Sequence, residues 1–132
     1  MEQSDRTLLV IDDVAENRDI LKRRLEKQGY KVEVAEDGQE GLLLLSKKYV
    51  SLILLDLDMP VMNGFTFLEK VKGNKKFAHI PVVITTSFDD DDTASDCLAF
   101  GASGFITKPY NMEQITTQVE RCLAQSIATT LN

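Results

Sequence analysis

Four places in the chain carry side chains that could do chemistry together: the pair Asp12-Asp13, then Asp56, Thr86 and Lys108. Each lies at the end of a short apolar run. Thr7 to Ile11 leads into the acid pair, Leu52 to Leu55 into Asp56, Ile80 to Ile84 into Thr85-Thr86, and Gly104 to Thr107 into Lys108. Carboxylates packed together repel one another and raise each other's pKa. A hard divalent cation with oxygen ligands relieves that repulsion, and Mg²⁺ suits a site of one or two carboxylates, waters and a phosphoryl oxygen. A carboxylate can also attack phosphorus and form an acyl phosphate. Phosphoryl transfer then needs positioning and cationic or hydrogen-bonding groups on the phosphoryl oxygens. The Lys108 ammonium and the Thr86 hydroxyl are of the right kind, so the set suffices for accepting a phosphoryl group, with Asp56 as the nucleophile.

Each residue also has an ordinary structural explanation. Asp13-x-x-Glu16 has the form of a capping box, Asp56 could cap a turn, Thr86 is a good strand residue, and Lys108 could be a surface lysine. Their joint placement argues for one site. If the runs are parallel strands of one sheet, all four places converge on the carboxyl-end rim, where open α/β sheets bind ligands.

The elements that must position them can be read from period and punctuation. Leu52 to Leu55 is a continuous apolar run, as in a strand buried on both faces. Residues 14–28 read as a helix with Val14, Leu21 and Leu25 on one face and Ile20 beside them, stopped by Gly29. Lys31 to Ala35 alternates as a short strand. Asp37-Gly-Gln-Glu40 opens a second helix as a capping box, with Gly41, Leu44 and Leu45 inward and Leu43 outward. Pro60 and Asn63-Gly64 mark a turn. A helix over Phe65 to Lys72 is expected to turn Phe65, Leu68 and Val71 or Phe67 inward. Ile80 to Thr86 is the fourth strand, with Pro81 near its start. A helix over 93–100 ends at Gly101, and Gly104 to Thr107 is the fifth strand. Asn111-x-x-Gln114 caps a last helix with Ile115, Val119, Cys122 and Leu123 inward. Five strands alternating with five helices predict parallel βαβ units with right-handed crossovers and helices on both faces.

The 132 residues suffice for one domain with a real core, about residues 6–125, with loose ends at 1–6 and about 127–132. The net charge of −6 argues against nucleic acid or an anionic membrane as direct partner. No apolar run nears the roughly 18 residues of a membrane span, and residues 1–6 lack an apolar signal core. A cytoplasmic location is the expectation. Cys97 and Cys122 show no metal spacing and read as small buried thiols. The acidic run Asp89 to Asp92 reads as a solvated loop favouring the N-terminus of the following helix.

At Val10-Ile11-Asp12-Asp13, Leu54-Leu55-Asp56-Leu57-Asp58-Met59-Pro60, Asn63-Gly64, Thr85-Thr86-Ser87 and Gly101 to Pro109, the sequence closely resembles the receiver domains of two-component response regulators, the chemotaxis-regulator-like family. The spacings from Asp56 to Thr86 and on to Lys108 suit that family, and the likeness covers nearly the whole chain. It implies a flavodoxin-like three-layer sandwich with sheet order 2-1-3-4-5. It implies that Asp56 accepts the phosphoryl group, that Asp13 ligates Mg²⁺ directly with Asp12 acting largely through water, and that Asp58 offers its backbone carbonyl to the metal. Thr86 and Lys108 would bind phosphoryl oxygens. Phe105 stands at the aromatic switch position, coupled through Thr86 to the surface of the fourth helix, fifth strand and fifth helix. The Lys108-Pro109 bond is expected to be cis. Asp58 and Phe88 occupy positions that vary in the family and affect phosphate loss. Implied partners are a histidine kinase or histidine phosphotransfer protein and an output domain or downstream protein, with a phosphorylation-dependent homodimer as a further possibility. Two other readings compete: a haloacid-dehalogenase-type phosphatase, suggested by Asp56-Leu57-Asp58, and a receiver-like binding module that signals without phosphate.

Overall fold

A computed structural model describes residues 6–59, 64–88 and 90–131, with side chains as far as Gln125. The elements are β1 (Thr7–Ile11), α1 (Ala15–Lys27), β2 (Lys31–Ala35), α2 (Gly38–Lys47), β3 (Leu52–Asp56), α3 (Gly64–Lys72), β4 (Val82–Thr86), α4 (Asp91–Ala99), β5 (Gly104–Thr107) and α5 (Met112–Leu131). The strands form one parallel sheet in the order β2-β1-β3-β4-β5.

The apolar runs are continuous because the sheet is covered twice. Side chains alternate between faces along a strand. Leu8, Val10, Leu52, Leu54, Val83 and Ile106 therefore pack on one side with Leu21 and Leu25 of α1 and Ile115, Val119, Cys122 and Leu123 of α5. Leu9, Ile11, Ile53, Leu55, Val82 and Ile84 pack on the other with Leu45 of α2, Phe67, Leu68 and Val71 of α3, and Cys97 of α4. This is the three-layer sandwich expected. The central strand β3 is buried at every position.

Caps and glycines set the ends. Gly29 and Gly101, each at φ 102°, end α1 and α4 in the left-handed conformation that favours glycine. Asp37 Oδ1 accepts from the Glu40 amide at 2.9 Å. Asn111 and Gln114 cap α5 reciprocally, each side-chain oxygen accepting the other's amide at 2.9 Å. Asp90 is the N-cap of α4 and accepts from both the amide and the hydroxyl of Thr93. With Asp91 and Asp92 in its first turn, α4 starts earlier than expected, because the acids build the helix start instead of a preceding loop. Asp89, Pro60, Asn63 and residues 1–5 lie outside the described residues.

Other expectations shift. Val14 is the N-cap of α1, without a side-chain cap bond, and it and Ile20 are exposed. Leu21 and Leu25 alone bury that helix, since α1 meets the sheet along a narrow stripe. Phe67, Leu68 and Val71 all turn inward. Phe65 is half-buried, packed against the core as expected and with its ring also on Phe100, centroids 5.2 Å apart. Ile80 and Pro81 precede β4, although the Pro81 carbonyl accepts from the Ile53 amide at 3.0 Å. Helix α5 runs through Leu131 where a loose end was expected.

Candidate functional site

Strand register brings the chemistry together. Ile11 pairs with Leu55, so Asp12 and Asp56, one step further along, stand side by side at the rim. Asp56 pairs with Thr85 on its other side, and Thr86 with Thr107, the residue before Lys108. All four sequence-predicted places therefore meet at one edge of the sheet. Carboxylate oxygens of Asp12, Asp13 and Asp56 lie within 4.8 Å of one another.

Each side chain is held by its neighbours. Asp12 is buried; its Oδ1 accepts from the Val14 amide at 2.9 Å and its Oδ2 from Asn17 Nδ2 at 3.3 Å. Arg18 donates to the Asp12 carbonyl at 2.7 Å. The N-cap amide of Val14 is thus served by Asp12, and Asp13 is exposed beside the other two acids, so the capping-box reading of Asp13-x-x-Glu16 falls away. Asp56, 2% exposed, accepts from the Asp58 amide at 2.9 Å and from Lys108 Nζ at 3.0 Å, both at Oδ1. Thr86 is fully buried and donates its hydroxyl to Asp58 Oδ1 at 2.9 Å. The Lys108 amide donates to the Thr86 carbonyl at 2.7 Å, tying β4 to β5 beside the site. The Lys108-Pro109 bond is cis, as the resemblance implied. Phe105 is half-buried on β5 and packs against the core under α2, α3 and α4.

The electrostatics suit an anion-accepting carboxylate. Burial raises the Asp56 pKa, helped by the charge on Asp12, and together these outweigh the Asp58 amide and Lys108. Burial works against the Lys108 ammonium as well, yet Asp56, Asp12 and Asp58 raise its pKa above the ordinary value. Lys108 therefore stays charged, and the metal-free Asp56 carboxylate is a comparatively basic group. Three hard carboxylates with a shared centre fit Mg²⁺. Asp58 does not add its carboxylate to that cluster, because it turns toward Thr86 and Ser87. Sequence reasoning foresaw Asp58 at the site but missed this engagement and the roles of Asn17, Arg18 and Ser87. No periodicity marks them.

A parallel five-stranded sheet in this order, covered by helices on both faces and with three acids and a lysine at its carboxyl rim, defines the class of CheY-like receiver folds. The family model of the response regulator receiver domain matches residues 8–120, and the chain belongs to that family. The response regulator PleD of Caulobacter vibrioides is 39% identical over 102 residues, covering 77% of this chain and 22% of PleD. The sensor histidine kinase CheAY of Helicobacter pylori is 35% identical over 122 residues, 91% of this chain and 15% of that protein. The chain thus spans about a fifth or less of these two relatives. Among solved structures, chemotaxis protein CheY4 of Vibrio cholerae superposes with a TM-score of 0.84 at 31% identity, covering 89% of this chain and 98% of the other. A CheY-like receiver domain from Methanospirillum hungatei reaches 0.87 at 27% identity, covering 94% and 98%.

Receiver domains are signalling switches of two-component systems that bind Mg²⁺ at an acidic pocket and interact with histidine kinases and output domains. Family membership leaves the phosphatase reading without support. Among the described residues no helix is long and apolar enough to cross a membrane.

Proposed function

We propose that this chain receives a phosphoryl group on Asp56 from a histidine kinase or a histidine phosphotransfer protein, and thereby controls a partner or an attached output domain. The observation that carries this is the position of Asp56 at the end of the central strand, with Lys108 Nζ at 3.0 Å and the carboxylates of Asp12 and Asp13 beside it. An Asp56 oxygen attacks phosphorus, the P–N bond to the donor imidazole breaks, and its electron pair leaves with the imidazole. Lys108 and Thr86 hold phosphoryl oxygens. Asp12, Asp13 and Asp56, with the main-chain carbonyl of Asp58, would hold Mg²⁺, which supplies charge neutralisation to the acids and the phosphoryl group. Thr86, drawn toward the phosphoryl group, biases Phe105 inward and alters the surface of α4, β5 and α5. No turnover of an external substrate is involved, and the chain acts in the cytoplasm. Phosphorylation-dependent homodimerisation would show as a shift in size-exclusion elution.

The test is intact mass after incubation with acetyl phosphate and Mg²⁺, beside an EDTA control and Asp56→Asn. The expected outcome is one metal-dependent phosphate adduct, absent from Asp56→Asn. A folded wild-type protein that takes no phosphate from acetyl phosphate or from a phosphorylated histidine kinase would leave a phosphate-independent binding module as the function.

A further inference from the structure

The carboxylate of Asp58 is engaged in a way that neither metal binding nor phosphoryl acceptance requires. Its Oδ1 accepts from the Thr86 hydroxyl at 2.9 Å. Its Oδ2 accepts from the amide and the hydroxyl of Ser87, each at 3.0 Å, and lies 3.7 Å from Lys108 Nζ. A hydroxyl pair, a main-chain amide and an ammonium form the kind of donor set that binds a phosphoryl group. Two of these donors, Thr86 and Lys108, are the ones a phosphoryl group on Asp56 needs. The Thr86 and Ser87 hydroxyls, the Ser87 amide and the Lys108 ammonium all converge on this one carboxylate.

We infer that the Asp58 carboxylate is a built-in competitor of the phosphoryl group, occupying the Thr86 hydroxyl and the Lys108 ammonium until a phosphoryl group on Asp56 displaces it. The inference rests on Asp56 being the acceptor. Thr86 has a single hydroxyl proton and cannot donate it to two anions at once. Lys108 already bridges the two acids, at 3.0 Å from Asp56 Oδ1 and 3.7 Å from Asp58 Oδ2. A phosphoryl group on Asp56 would add negative charge beside a carboxylate whose own amide donates to Asp56 Oδ1 at 2.9 Å, and like charges that close repel. The side chain has somewhere to go. A cleft of about 540 Å³, lined among others by Asp58, Ser87, Phe88 and Thr93, opens next to it. Displacement also releases Ser87, at the start of the loop whose Asp90 caps α4. Asp58 is thus a positioning residue that sets how readily the site accepts an anion and links that event to the α4 start.

Beryllofluoride, an aspartyl phosphate mimic, is the probe. It is titrated at saturating Mg²⁺ into wild type, Asp58→Asn, Asp58→Ala, Thr86→Ala and the Asp58→Asn/Thr86→Ala double variant, and followed by fluorine and amide NMR. Asp58→Asn and Asp58→Ala are expected to bind it about tenfold more tightly, the order of one logarithmic unit for a removed neighbouring charge. In the Thr86→Ala background the gain should shrink to roughly a third of that or less, the mark of coupled partners. With neither metal nor anion added, Asp58→Ala should move the amide resonances of Thr86, Ser87, Phe88 and Thr93 toward their beryllofluoride-bound positions. Equal or weaker binding by Asp58→Asn and Asp58→Ala, with wild-type melting temperatures, would overturn the inference. So would an undiminished gain in the Thr86→Ala background, or unmoved amides in Asp58→Ala. If wild type binds and the Asp58 variants bind no better, the competitor alone fails. If wild type takes no beryllofluoride, the acceptor reading fails and the competitor with it.

Discussion

At the scale of single residues, the buried Asp56 carboxylate is held at a cost to the fold. Its carboxyl holds a proton more firmly in the folded chain than in the unfolded one, because of burial and the neighbouring Asp12. A pKa raised by folding favours the native state below the ordinary carboxylate value of 3.8, and that contribution is lost as pH rises through the folded value. At neutral pH the metal-free carboxylate therefore opposes folding. Asp56→Asn is expected to melt a few degrees higher than wild type at pH 7 in EDTA, with the gain fading toward pH 3; thermal melts across that range would check it. A lower melting temperature at pH 7 would contradict it. Mg²⁺ should raise the melting temperature of wild type by mass action. Cys97 and Cys122 stand at the other extreme. Burial, with Asp96 beside Cys97, raises both thiol pKa values, and both groups are free and enclosed. A thiol-reactive disulfide reagent should leave them unlabelled in the native protein and label both after denaturation.

At the scale of elements, close approaches and side-chain ties hold the rim in place. A Cβ on Gly64 would come within 2.5 Å of Leu57 Cδ1 and 2.9 Å of Leu57 Cα, so α3 lies against the backbone just after Asp56. Gly64→Ala should cost about 1–3 kcal/mol, as over-packing does, and should slow acetyl phosphate labelling by displacing Leu57 and Asp58; urea denaturation and intact mass measure the two effects. Lys72 works from the other end of α3. Its ammonium donates to the carbonyls of Ala78 at 3.1 Å and Ile80 at 2.6 Å, pinning the segment before β4. Lys72→Met keeps an apolar stem but leaves both carbonyls unserved. It should lose about 1–3 kcal/mol in urea denaturation while leaving the mass adduct on Asp56 intact. The element pattern was largely legible in the sequence, since apolar runs and caps are local signals. The buried stripe of α1 was read too wide: Val14 and Ile20 have the right helical positions, but the sheet beneath reaches only Leu21 and Leu25.

For the whole molecule, the crossover order β2-β1-β3-β4-β5 places β3 at the centre, between β1, which ends in the acid pair, and β4 and β5, which end in Thr86 and at Lys108. Asp56 is tied to Thr86 through Asp58, whose amide donates to Asp56 and whose carboxylate accepts from Thr86, and the 2.7 Å bond from the Lys108 amide to the Thr86 carbonyl continues the path to the end of β5. Thr86→Ala is expected to accept phosphate on Asp56 still, while the amide shifts at Phe105 and along α4 and α5 that accompany phosphorylation fall by at least about half, read as a population shift. Full-sized shifts in that variant would sever Thr86 from the switch. Asp90, Asp91 and Asp92 put three acids at the start of α4, on the surface that the proposed function would alter.

The sequence by itself determined the strands, their burial on two faces, and the gathering of the acidic pair, Asp56, the Thr86 hydroxyl and the lysine, because each is written as a local run ending in a particular residue type. The resemblance those residues carry supplied the sheet order, which periodicity does not encode. Only the tertiary structure decided what each polar group bonds to. Asp12 accepts the N-cap amide of Val14 at the start of α1, Phe65 adds the Phe100 ring to its contact with the core, and the Asp58 carboxylate takes the Thr86 hydroxyl. These choices depend on which groups the fold brings to the same few ångströms from distant segments, and no local pattern in the chain records that.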